Sequence, residues 1–380
     1  MEVELFMAGG SDGGRPIMPV EIYKAGEYLF PNKIDVYILG YNRLLSYGYQ
    51  KKLVDSIIAM DLLINGLQGA NEERGKEWMD LYLVGPEKEI IMETVINDIK
   101  SNMLFNYIDG KKATDKYKEK IKPKKLFIDS GAFSAWTKGK AIDVDEYIAW
   151  INERADFIDL YGQVDVIPGD IIKGHTPEQV EEAAAATWEN YLYMRPRMKK
   201  PEGLLYTFHV GEPYRYLEQA LEWRDDNGQP IPYIALGGMV GKPMPTKKSF
   251  LDSCFNIIKK SSNPKVKVHA FGMTSFSLLE SYPITSADST SWIMTGANGN
   301  ITTDVGIIAI SEKAKRLPEH YSHLCPSHQD AFEKTISKYG FTLDELQVDY
   351  KARLRYHLRY LSEKASNIKY IPGPKRLSLF

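Results

Sequence analysis

Leu126-Phe127-Ile128-Asp129-Ser130-Gly131-Ala132-Phe133 is the stretch that decides the fold. A short apolar run ends on a carboxylate, a hydroxyl and a glycine, the pattern of a buried strand that stops where the chain turns. Far downstream, Ile284-Thr285-Ser286-Ala287-Asp288-Ser289-Thr290 ends in the same way on Asp288. If both strands belong to one barrel of parallel strands, Asp129 and Asp288 meet at its C-terminal mouth, where such folds gather groups from several strands. Two carboxylates at one mouth suit substitution at a sugar carbon.

Working outward from these two runs, similar β-rich segments ending in Gly, Asp or His recur at Glu4 to Ala8, Asp35 to Gly40, Val164 to Pro168, Leu205 to His209, Tyr233 to Leu236 and Val266 to Phe271. Asp80 to Val84 competes with the first two for a place. Helical stretches separate several of them; the clearest opens at Thr176-Pro177-Glu178-Gln179, where Thr caps, Pro takes the first turn and Gln179 completes a capping box. Eight strands alternating with helices predict an α/β fold, a (β/α)8 TIM-like barrel over residues 1–304, with insertions within 41–125. Residues 305–380 are expected to form a C-terminal subdomain with a long helix from Leu343 to about Ser366.

The chain of 380 residues is 43% hydrophobic, enough for a large core and too long for a minimal binding module. Its formal net charge of -2 advertises no polyanionic partner, so contact with nucleic acid must come from local patches. Eight lysines lie between Lys111 and Lys125, and eight Lys/Arg between Lys351 and Arg376. Two cysteines, Cys254 and Cys325, cannot staple a chain of this size and argue for a reducing compartment. Without a signal-like start or a long apolar run, the expectation is a soluble, cytoplasmic protein with no membrane partner.

His320-Tyr321-Ser322-His323-Leu324-Cys325-Pro326-Ser327-His328, with His357 downstream, concentrates the ligand types that zinc prefers. A tight loop would supply His323, Cys325 and His328, and His357 would close a structural zinc site from a helix, with His320 as a spare. Tyr350, Leu354, His357, Leu358 and Leu361 share one helical face, so His357 should point inward.

Taken in order, Asp129-Ser130-Gly131-Ala132-Phe133, then Ala235-Leu236-Gly237-Gly238-Met239, then Ala287-Asp288-Ser289 and the His/Cys cluster resemble the tRNA-guanine transglycosylase superfamily. That superfamily carries Asp-Ser-Gly-Gly-Phe, a Gly-Gly pair, a catalytic Asp and a Cys-x-Cys-x2-Cys zinc motif followed by a distant His. Here two of the cysteines are histidines. The likeness covers about residues 126 to 361 and is nearest to the phage and bacterial DpdA-type branch, which exchanges guanine in DNA for a 7-deazaguanine.

The resemblance implies that Asp288 is the nucleophile, forming a covalent glycosyl-enzyme, and that Asp129 is the general acid/base. It assigns recognition of the base to Asp170, with Asp165 as rival, and to Ser130, His209, Gly237 and Gly238, with Phe133 and Met273 sandwiching the purine. The glutamine usual near His209 is absent. Arginines usual after the nucleophile are also missing, which favours DNA over tRNA. Phosphate contacts would fall to Lys351, Arg355 and Arg359, one stripe of the helix bearing His357, helped by Lys375 and Arg376. Trp292, Tyr356 or Tyr360 would brace the gap left by an extruded base. The partners implied are DNA, with tRNA as the alternative, and a 7-deazaguanine base such as preQ0 or preQ1; the assembly is left open, a homodimer included. Outside this family, paired carboxylates in a barrel also serve a retaining glycoside hydrolase, and a non-catalytic nucleic-acid-binding subunit is the remaining alternative.

Overall fold

A computed structural model describes residues 79–85, 91, 101–120, 124–169, 174–273, 275–304 and 306–368. Eight parallel strands close a barrel in sequence order: β1 (Asp80–Val84), β2 (Asn102–Asn106), β3 (Leu126–Asp129), β4 (Leu160–Gly162), β5 (Leu204–His209), β6 (Tyr233–Gly237), β7 (Lys267–Ala270) and β8 (Ser286–Ser289). Of the helices, α1 (Tyr107–Lys120) follows β2, α2 (Ala132–Thr137) and α3 (Val144–Glu153) both follow β3, and α4 (Pro177–Met194), α5 (Arg215–Glu222), α6 (Met244–Lys260), α7 (Phe276–Ser281) and α8 (Ser291–Ala297) follow β4 to β8 in turn.

The strand pattern explains why these short runs close into a barrel. Tyr82, Leu104, Phe127, Leu205, Tyr233 and Ala235 pack together inside it. Their neighbours Leu81, Leu83, Met103, Phe105, Leu126, Ile128, Leu204, Tyr206, Ile234 and Leu236 pack outward against the helices. Alternation with a period of two, apolar on both faces, is what a strand buried on both sides requires. Carried around the barrel by the offset of each ladder in turn, the register line that starts at Asp288 comes back to the line of β8 at position 280, beyond the N-terminal end of the strand itself. The stagger, 288 against 280, is the shear of about eight that eight tilted strands need to close.

Three strand expectations change. Glu4 to Ala8 and Asp35 to Gly40 lie outside the described residues, and the first two positions of the barrel belong to Asp80–Val84 and Asn102–Asn106. Val164 to Pro168 is not a strand: pairing with β5 holds Tyr161 and Gly162, and the β-rich run beyond them leaves the ladder. At α4 the expected capping box is present, with Gln179 N donating to Thr176 Oγ1 at 3.3 Å and Thr176 N to Gln179 Oε1 at 2.9 Å.

After α8 come a two-stranded sheet of β9 (Asn300–Thr303) and β10 (Gly306–Ala309) and three helices, α9 (Pro326–Lys338), α10 (Leu343–Val348) and α11 (Tyr350–Asn367). The long helix expected from Leu343 is two helices. Asp349 ends the first and caps the second, its Oδ1 accepting from Lys351 N at 2.7 Å. Helix α11 packs on α8, β1 and β9, and Glu77–Thr303 with Ile307–Tyr370 forms one compact unit. Among the described residues no helix is long and apolar enough to cross a membrane.

Candidate active site

Asp129 ends β3 and Asp288 stands in β8, three strand steps away around the barrel. On the register line Asp288 faces Lys125, four residues before Asp129. Three steps of a shear-eight barrel account for about three of those residues, so both carboxylates stand at nearly one height. Alternation turns both inward, Asp129 two residues beyond Phe127 and Asp288 beside Tyr82.

Around Asp129 the chain is held tightly. Gly131 caps α2 at φ 78, and a Cβ there would stand 2.4 Å from Asn106 Oδ1, so the turn after the carboxylate requires glycine. Gly131 N donates to Asp129 Oδ2 at 3.2 Å. Asn106, register partner of Asp129, donates to Ser134 Oγ at 2.9 Å. Gly162 on β4 lies alongside, where a Cβ would make only an ordinary contact at 3.8 Å from Asp129 Oδ1.

Asp288 is 6% exposed, and its Oδ1 takes two hydrogen bonds, from Gly272 N at 2.8 Å and from His269 Nε2 at 3.2 Å. Among the described residues Oδ2 accepts none. Gly272 can aim its amide this way because φ is 62 and Val240 fills the space of a Cβ. Phe271, facing Asp288 on the register line and only partly buried, stands against Phe127 and His269 at ring distances of 5.7 and 4.6 Å.

A second network lines the mouth above β4 and β5. His209 Nδ1 meets Glu212 Oε1 at 2.8 Å and its Nε2 meets Asp165 Oδ2 at 3.2 Å, while Ser130 donates to Asp165 Oδ1 at 3.2 Å. Burial works against a charge on this ring, but hydrogen bonds and charge from Asp165 and Glu212 outweigh it and raise its pKa from 6.5 to about 10. His209 is therefore an imidazolium at neutral pH. Its ring fills the space beside Gly237, where a Cβ would stand 2.6 Å from Cδ2. The first glycine of the pair thus makes room for His209, and Gly238, at φ 74, is the exposed one.

The other expected site residues are distributed unevenly. Phe133 is 64% exposed on α2, with its ring 5.8 Å from that of Trp136, and is free to stack on a ligand. Met273 is 1% exposed and packed in the barrel–helix core, so it presents no face to a base. Ser130 is fully buried, and both oxygens of Asp165 are engaged. Asp170, Lys375 and Arg376 lie outside the described residues.

The expected zinc ligands are not brought together. His357 is fully buried, and its Nε2 accepts from Thr302 N at 3.0 Å, which places the ring proton on Nδ1. Burial, reinforced by Arg353, lowers its pKa from 6.5 to about 3. His323 Nε2 meets Lys315 O at 2.7 Å, and Cys325 caps α9 with its Sγ 3.2 Å from Ser327 Oγ. Among the described residues no three His, Cys, Asp or Glu side chains are grouped so as to hold a metal ion.

The basic stripe is tied down as well. Arg355 is 3.6 Å from both Glu345 and Asp349, and Arg359 donates to Tyr339 O at 2.7 Å over the Phe341 ring. Lys351 alone of the three is exposed. Trp292, Tyr356 and Tyr360 are buried, Trp292 donating to Val84 O at 3.0 Å, so none braces a gap in nucleic acid. No protein-family model and no curated protein matches the chain.

Proposed function

We propose that the chain is a guanine transglycosylase acting on DNA, exchanging guanine for a 7-deazaguanine base at this mouth. The observation that carries the proposal is the pair of inward carboxylates at one height, one of them held by a single oxygen. With Oδ1 of Asp288 occupied by two donors, Oδ2 is the atom left to attack the anomeric carbon. The bond to that carbon forms as the carbon–nitrogen bond to guanine breaks, and Asp129 delivers a proton to the departing base. In the second half the incoming base gives its proton to Asp129 and displaces Asp288, so configuration at the sugar is retained.

Phe271 and the exposed Phe133 supply apolar faces for a flat base, and the exposed Gly238 permits close approach of its edge. By resemblance Asp170 would accept hydrogen bonds from that edge. DNA rather than tRNA is favoured because α8, directly after the nucleophile, carries no lysine or arginine. With Arg355 and Arg359 engaged internally, Lys351 is the member of the stripe available to phosphate. Labelled guanine supplied with duplex DNA, single-stranded DNA and tRNA tests the proposal. Label in DNA is the expected result, label in tRNA alone reassigns the polymer, and label in none removes the proposal.

A further inference from the structure

Behind Asp288 lies a chain of hydrogen bonds that the two-carboxylate chemistry does not use. His269 Nε2 is 3.2 Å from Asp288 Oδ1, its Nδ1 is 2.6 Å from Ser286 Oγ, and Ser286 Oγ is 2.6 Å from the Tyr233 hydroxyl. The chain crosses β8, β7 and β6 through the interior of the barrel. His269 and Ser286 are fully buried, and Tyr233 is 6% exposed. The imidazole is caged by the rings of Phe127, Phe271 and Tyr82, at 4.8, 4.6 and 6.1 Å. Packing therefore fixes the ring, and a polar contact is left only at its two nitrogens.

Proton counting gives this chain one direction when Asp288 is ionised. A carboxylate only accepts, so Nε2 must carry the proton and donate to it. In a neutral ring Nδ1 then accepts, which requires Ser286 to donate to it; Ser286 in turn accepts from Tyr233, a phenol kept protonated because burial raises its pKa. Each of the three protons makes one bond. The same count fixes what happens to Oδ1 during the reaction. Once Oδ2 is esterified, Oδ1 becomes a carbonyl oxygen facing the donors of His269 and Gly272, and these donors stand ready for the charge that returns when the ester is displaced.

We infer that His269 is a positioning residue which, with the amide of Gly272, holds Oδ1 of Asp288 so that Oδ2 faces the substrate and the carboxylate is a stabilised leaving group in the second half of the exchange. The proposal rests on the base-exchange role of Asp288, and its test has a readout that needs no activity. Nitrogen-15 spectra of histidine-labelled protein should show a proton on His269 Nε2, and Asp288→Asn should shift that signal. A ring whose Nε2 carries no proton overturns the inference whether or not the protein exchanges bases. In the exchange assay, His269→Phe keeps the aromatic cage filled and should lower kcat on the order of 10²-fold with KM little changed, the scale of losing one preorganised donor. His269→Gln, which returns an N–H near the position of Nε2, should recover much of the loss. A Phe variant within about threefold of the parent kcat, or a Gln variant no better than Phe, contradicts the inference. Absence of exchange in the unmodified protein removes the function proposed for the mouth and leaves the spectra to decide the hydrogen-bond chain.

Discussion

His209 at the barrel mouth and His357 in the C-terminal helices are held in opposite states. His209 lies between two carboxylates and is charged, whereas His357 is sealed into the core, accepts a backbone N–H from β9 and stays neutral. The wider regions differ in the same sense. At the mouth, side chains far apart in sequence are drawn into shared networks by strand register, so Asp129 meets the level of Asp288 and Ser130 reaches Asp165. In the C-terminal region, residues close in sequence are dispersed among separate local contacts. A barrel converts strand order into proximity, while a loop and a helix end give no such guarantee.

The largest expected effect falls at the mouth. Asp129→Asn keeps the shape and removes the transferable proton, and base exchange should drop by about 10²- to 10⁴-fold with the urea midpoint little changed. Retained exchange would show that the two carboxylates do not share one reaction. In the C-terminal region the largest effect should be on folding instead. His357→Ala leaves Thr302 N unpaired and opens a cavity under α11, so urea unfolding should show a loss of about 2–4 kcal/mol. A near-neutral result would mean that His357 does not anchor β9.

The two histidines also give opposite slopes of stability against pH. The pKa of His357 falls to about 3 on folding from 6.5, so its neutral ring favours the folded state above pH 6.5, and this contribution is lost as pH falls from 6.5 towards 3. The slope approaches about 1.4 kcal/mol per pH unit. For His209, raised to about 10, the contribution is complete below pH 6.5 and is lost as pH rises through 10. Urea midpoints of His357→Ala and His209→Gln across pH 4 to 10 separate the two, since each variant should flatten only its own limb. The smallest effect is expected at the sequence cluster: Cys325→Ser should change stability by less than about 0.5 kcal/mol and leave the metal content measured by mass spectrometry unaltered. Loss of a bound zinc ion in that variant would restore the ligand set that the fold disperses.

Much of the barrel was legible because β3, β5, β6, β7 and β8 are short apolar runs stopped by turn residues. The ends of that list were not. Asn102–Asn106 has only Met-Leu-Phe between two asparagines, and three-residue β4 is overshadowed by the stronger β pattern of Val164 to Pro168, which only the missing ladder excludes. Both catalytic candidates were visible as strand-ending carboxylates. His269 was missed, although Val266 to Phe271 was recognised as a strand: period-two alternation puts His269 on the face of Phe271, and across the ladder Ser286 and Asp288 share that face. Asking which face each strand residue takes would have found it. His357 was expected to point inward and does, but inward here means a core neighbour, since periodicity reports burial and not what lies opposite.

The central claim is that Asp288 carries the sugar. It is tested most directly by incubating the protein with guanine-containing DNA, with no incoming base, then denaturing, digesting and mapping adducts by mass spectrometry. The account predicts a deoxyribose-linked adduct on the peptide containing Asp288, absent in Asp288→Ala, which should also lose exchange on the order of 10⁴-fold or more. An adduct on another residue, or exchange that survives Asp288→Ala, would contradict it.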